Sequence, residues 1–139
     1  MGKPYTQLYY HFVWATWDRE PLIAPAWEEQ LHAGIIAKCD ELRVQVMAIN
    51  GVEDHVHLLV GSIPALSLSE LIGGVKGAAS HLVNHRLTRD ANFRWQGYYG
   101  AFTVSRSHLP KVKWYVLSQK EHHANGQLWP VAETMFLPD

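Results

Sequence analysis

The run Val-Glu-Asp-His-Val-His-Leu-Leu-Val, residues 52–60, constrains this chain more than any other segment. Read as a β-strand, it turns His55 and His57 to one face and Val56 to the core on the other, because successive side chains alternate. Two neutral imidazoles at that spacing can hold one divalent ion with further coordination positions open, as a catalytic ion needs, and the pair is expected at an open surface site. The competing reading is two surface histidines on an edge strand.

A second cluster lies in 112–123, Val-Lys-Trp-Tyr-Val-Leu-Ser-Gln-Lys-Glu-His-His, which reads as one helix. Tyr115, Gln119 and His122 then fall at i, i+4 and i+7 on a single stripe. Taken alone, that stripe is an ordinary solvated polar face. Beside a histidine pair, it suggests a metal site joined to a phenol nucleophile, since a tyrosine hydroxyl near pKa ~10 attacks only where a cation or base favours its phenolate.

The rest of the chain reads as strand, helix, hairpin, helix, strand, helix. Aromatic and β-branched residues make 8–16 a strand that Pro21 and Pro25 bring to an end. Trp27, Leu31, Ile35 and Leu42 sit near helical spacing, with Glu28 and Glu29 in the first turn, where the helix dipole favours them. Strands over 43–50 and 55–61 flank a turn at 51–54 in which Gly51 offers positive φ. Ser67 or Ser69 caps a second helix through Val83. Gly73, Gly74 and Gly77 weaken it, leaving room either for another backbone or for a DNA strand. A loop over 92–100 leads to a strand at 101–105, and Pro110 opens the last helix. The sum is an α+β fold, an antiparallel sheet with helices on one face.

At 139 residues the chain makes one domain, 1–139, with ample apolar side chains for a core. Its one cysteine, Cys39, fits a small buried side chain in a reducing compartment. No apolar run approaches the ~20 residues of a membrane span. Together these point to a soluble, cytoplasmic protein. The net charge of −1 argues mildly against nucleic acid as partner. Basic residues are nevertheless grouped: Lys76, Arg86, Arg89 and Arg94 in one stretch, and Arg106, Lys111, Lys113 and Lys120 in another beside Tyr115. From these, Lys76, Arg86, Arg94, Arg106 and Lys111 are the candidate DNA contacts.

Four segments, 14–23, 54–60, 97–105 and 115–123, together give the chain a family likeness. It resembles the single-tyrosine HUH transposases of the insertion-sequence 200/605 type and their REP-associated relatives. The specific part is His-hydrophobic-His followed at a distance by Tyr-x-x-x-Gln-x-x-His-His. The resemblance implies a ferredoxin-like (RRM-like) sheet plus a C-terminal helix carrying the tyrosine. It implies Tyr115 as nucleophile, with His55, His57 and Gln119 holding Mg²⁺ or Mn²⁺. It further implies cleavage and rejoining of single-stranded hairpin or palindromic-repeat DNA through a 5′-phosphotyrosine, in a homodimer whose active sites are shared between subunits. Ser118, where relatives often carry asparagine, Trp17-Asp18, and a tail over 124–139 without a recognisable helix depart from the family pattern. A domesticated nuclease acting on palindromic repeats is as compatible with the sequence as a self-mobilising transposase.

Several residues stay open at this level. Asp54 either orients an imidazole or shapes the turn. His123 and Glu121 either assist or cap a helix end. Tyr98 and Tyr99 are rival phenols better suited to stacking or packing. His81 and His85 read as polar-face residues. Two other classes compete: a catalytically silent ferredoxin-like nucleic-acid-binding module, and a 2H-type phosphoesterase, which would need two His-x-Ser/Thr motifs that this sequence lacks.

Overall fold

The computed structural model describes Gly2 and residues 4–135, so the end of the tail, including Asp139, lies outside the described residues. Four strands, β1 (Leu8–Ala15), β2 (Gln45–Val52), β3 (His55–Ser62) and β4 (Gly100–Val104), form one sheet in the order β2-β3-β1-β4, every pair antiparallel. With α1 (Glu28–Glu41) between β1 and β2, and α2 (Leu68–Leu82) between β3 and β4, this is the ferredoxin-like β-α-β-β-α-β order. β3 is an inner strand, which removes the edge-strand reading of its histidines.

Alternation along the two inner strands builds a core on each face. Phe12 and Trp14 of β1 join Val56, Leu58 and Val60 of β3 beneath Leu31, Ile35 and Cys39 of α1 and Leu71, Ile72, Val75 and Ala79 of α2. Each fully buried apolar side chain of that size contributes roughly 1.5–3 kcal/mol. Ser67 caps α2 by accepting from the Glu70 amide at 3.1 Å, and its hydroxyl meets the Glu70 carboxylate at 3.1 Å, a reciprocal cap. Burial pushes the Cys39 thiol up to about 11, so it stays an inert apolar filler.

The opposite face carries Tyr9, His11, Val13, His55, His57 and Leu59. It is covered by α3 (Leu109–Leu117), α4 (Gln119–Asn125) and a single 3₁₀ turn at Val131–Glu133. The sheet is therefore helix-covered on both faces rather than one.

Local differences from the sequence reading have clear causes. The β2–β3 turn is only Glu53–Asp54, because β2 runs on to Val52. Gly51 lies inside β2, where its role is close approach and not positive φ: a Cβ there would strike the His55 carbonyl oxygen. Among the described residues nothing lies within 4 Å of where Gly73 or Gly77 would carry a Cβ, so no described backbone packs against those two positions. Among the described residues, no helix is long and apolar enough to cross a membrane.

Candidate active site

β3 presents His55 and His57 to the α3/α4 side, and each ring is oriented through its Nδ1. His55 Nδ1 lies 2.6 Å from Asp54 Oδ1, so Asp54 orients the imidazole as well as ending the turn. His57 Nδ1 lies 2.8 Å from Nε2 of His11, which reaches across from β1. That leaves both Nε2 atoms aimed at Glu133, whose carboxylate is 3.3 Å from His55 Nε2 and 3.1 Å from His57 Nε2. His123 Nε2 is 3.6 Å from the same carboxylate. Ligand atoms of His55, His57, His123 and Glu133 all lie within 4.8 Å of one another.

This donor set fits a divalent ion. His55 Nε2 is buried and makes no hydrogen bond among the described residues. A metal-binding imidazole ordinarily has its other ring nitrogen held by a carboxylate, carbonyl or water, as Asp54 holds His55 Nδ1. Three imidazoles and a carboxylate suit manganese, zinc, nickel or cobalt.

The tyrosine arrives on a broken helix. Residues 109–125 form not one helix but two, separated at Ser118 (φ −98, ψ 18). Asn50 of β2 holds the break, donating from Nδ2 to the Leu117 carbonyl at 2.8 Å and accepting from Lys120 Nζ at 2.8 Å. Tyr115, Gln119 and His122 do share a stripe, but it is buried, with relative exposures of 0, 0 and 2 %. The solvated-face reading fails because that stripe packs on the sheet, and Trp114 is left exposed.

Tyr115 donates its hydroxyl hydrogen to Glu133 Oε2 and accepts from the Trp129 amide at 3.1 Å, while the Trp129 indole stacks on the phenol ring at 4.0 Å and 17°. Gln119 donates to the Tyr115 carbonyl at 3.1 Å, and its Oε1 lies 3.0 Å from His123 Nε2, placing it beside the cluster.

The electrostatics follow from burial and from Glu133. Burial lowers His57 and His123. Burial also works against a charged His55, but the Asp54 and Glu133 carboxylates outweigh it and raise that residue. Burial, together with the neighbouring His57, takes His11 down to about 3, so it stays neutral. Burial opposes the Glu133 charge, yet the His55 and His57 imidazoles set against it hold its carboxyl well below the usual range. Tyr115 is pushed up to about 12 by burial and by the Glu133 carboxylate.

Two features depart from expectation. The histidine pair is not at an open surface, since His55 and His57 are 1 and 0 % exposed beneath the chain from Trp129 to Glu133. Glu133 carries no local sequence signal, because it sits in a tail with no periodicity and reaches the histidines through a long-range return onto β1 and β4.

The structure also places the candidate DNA contacts. Arg86 and Arg106 are exposed. Lys76 donates to the Gln96 carbonyl at 2.6 Å, and burial lowers it. The Arg94 guanidinium covers Trp17 at 3.8 Å, and Lys111 lies 5.4 Å from the Trp129 ring. Tyr99 packs near Phe12 on the far face, and Tyr98 accepts from Gln96, so neither phenol reaches the histidines. His81 and His85 stack on each other at 4.1 Å, away from the cluster.

Known structures share this architecture. A candidate transposase from Deinococcus radiodurans R1 is 22% identical with a TM-score of 0.66, over 86% of this chain and 96% of that one. A REP-associated tyrosine transposase bound to a REP hairpin is 14% identical with a TM-score of 0.65, over 94% of this chain and 79% of that one. No curated protein matches the sequence. The family model described as "Transposase IS200 like" matches residues 4–119, the whole sheet together with Tyr115 and Gln119. The chain belongs to the IS200-like transposase family.

Proposed function

We propose that this transposase is a metal-dependent endonuclease that nicks and rejoins single-stranded DNA through a 5′-phosphotyrosine on Tyr115. One observation carries the reading: within one chain, the Tyr115 hydroxyl and the Nε2 atoms of His55 and His57 converge on a single point, the Glu133 carboxylate. His55 and His57 would hold the ion, with Gln119 and His123 adjacent. When bound, a divalent ion neutralises the scissile phosphate and steadies charge in the transition state.

The protein's own groups set up the rest. Asp54 and His11 fix the imidazole planes, and Gln119 steadies the Tyr115 turn of α3. The Trp129 amide, donating to the phenol oxygen, favours developing phenolate charge, against the burial that raises the phenol. As the phenol oxygen bonds to phosphorus it gives up its proton, the bond from phosphorus to the 3′-oxygen breaks, and in net that proton ends on the departing 3′-hydroxyl. The ester retains the bond energy, so a 3′-hydroxyl can reverse the step without ATP. Tyr115 stands 5.9 Å from its own chain's His57, ring to ring, which supports assembly of the site in cis, whether or not the protein dimerises.

The substrate of first choice is single-stranded DNA ending in a hairpin, because a REP hairpin is what the similar REP-associated transposase structure holds. The test is incubation of labelled hairpin strands with Mn²⁺, looking for a protein–DNA adduct on a denaturing gel. The wild type should form it and Tyr115→Phe should not, while DNA binding persists. An adduct on Tyr115→Phe, or equal cutting of blunt duplex, would refute the proposal.

A further inference from the structure

Glu133 lies beyond the stretch that the family model matches, which ends at residue 119, yet it occupies the centre of the site. Its Oε1 is 3.1 Å from His57 Nε2, 3.3 Å from His55 Nε2 and 3.6 Å from His123 Nε2, while Oε2 accepts the Tyr115 hydroxyl. His55 and His57 are otherwise committed through Nδ1, and among the described residues the carboxylate their Nε2 atoms face is Glu133. An imidazole lone pair and a carboxylate oxygen at that distance repel unless a proton or a cation lies between them. Any ion bound by both Nε2 atoms must therefore meet Glu133 Oε1 or expel it.

Two further observations show that the carboxylate is held there by construction. Gly100 of β4 leaves room for the chain just after it, since a Cβ on that glycine would collide with the Thr134 carbonyl. Thr134 Oγ1 also donates to the Pro130 carbonyl at 2.8 Å, and Trp129 stacks on Tyr115, so the segment is anchored on both sides of Glu133.

We infer that Glu133 is a metal ligand supplied by the tail, binding the ion through Oε1 while Oε2 holds the hydroxyl of the nucleophile. His123 adds a third imidazole, so this chain's set is richer in protein ligands than His55, His57 and Gln119 alone. The inference rests on the metal part of the function proposed above, and adds that one carboxylate ties the ion to Tyr115.

The test uses the full-length chain without DNA and Mn²⁺ as the probe, titrated by calorimetry and by electron paramagnetic resonance of the free ion. Glu133→Gln keeps the size and one accepting oxygen for the Tyr115 hydroxyl but loses the anionic ligand, and should weaken Mn²⁺ affinity by about a hundredfold, the upper end of the loss seen for partners outside the ligand shell. Exposed Asp90→Asn, the same change in charge away from the site, should leave affinity unaltered. Circular dichroism confirms folding of each variant. Unchanged affinity in Glu133→Gln overturns the inference and leaves the cleavage mechanism standing. Failure of the wild type to bind Mn²⁺ overturns both. Normal Mn²⁺ binding that needs Glu133, without any DNA adduct, upholds the inference and defeats the cleavage proposal.

Discussion

Replacing His11 by glutamine should remove about 2.5 kcal/mol of this protein's sensitivity to acid. His11 is 3 % exposed, and its Nε2 meets His57 Nδ1 at 2.8 Å. For His57 to offer Nε2 to a metal, its proton must sit on Nδ1 and be donated to His11, so His11 has to be neutral. Burial lowers its pKa from 6.5 to about 3. In the unfolded chain it titrates near 6.5, so between those values the unfolded state binds a proton that the folded state refuses. Stability therefore rises with pH across this window and is lost as pH falls through 6.5 toward 3. At about 1.36 kcal/mol per unit, acidification from neutrality to about pH 4.5 costs roughly 2.5 kcal/mol through this residue alone. Urea unfolding with chelator present, at neutral pH and at the acid point, measures it for both proteins. The amide of His11→Gln can still bond His57 but does not titrate, so the variant should lose less stability than the wild type by about that amount. Equal losses would show that His11 is not held neutral in the fold.

The remaining expectations concern the site. His55→Ala or His57→Ala should abolish DNA cleavage, as should chelator, with little loss of helical circular dichroism, because the sheet is held by the apolar faces of β1 and β3. Gln119→Ala should lower cleavage less than either histidine change, since Gln119 lies beside His123 and the Tyr115 carbonyl instead of facing Glu133; a loss as complete as that of His57→Ala would refute this. If each chain builds its own site, as proposed, mixing His57→Ala with Tyr115→Phe under demonstrated subunit exchange should restore no activity; recovery of about a quarter of wild type would show assembly in trans. Gly100→Ala should lift the Thr134 segment off β4 and weaken Mn²⁺ binding, as read by calorimetry, while changing the thermal midpoint by only a few degrees.

The local parts of this protein are legible in its sequence because they depend on short periods. Alternation placed His55 and His57 on one face of a strand and Val56 on the other, and the same rule set Phe12 and Trp14 against α1 and α2. Ser67 and Glu70 announced the start of α2 through a cap that needs only four residues. The spacing of Tyr115, Gln119 and His122 survived even the break at Ser118, since all three still lie on the buried stripe. Burial of that stripe was not legible, because a helix period says which residues share a face but not what covers it. The break depends on Asn50, 67 residues from the Leu117 carbonyl it binds, and His11 reaches His57 only because β1 and β3 are neighbours. Glu133 is the extreme case. Its place at the centre of three imidazoles comes from packing of the tail against β1 and β4, a contact between distant residues that no local pattern encodes. Spacing along the chain determined which side chains could act together, and tertiary packing decided which carboxylate closes the site, how dry it is and which phenol it holds.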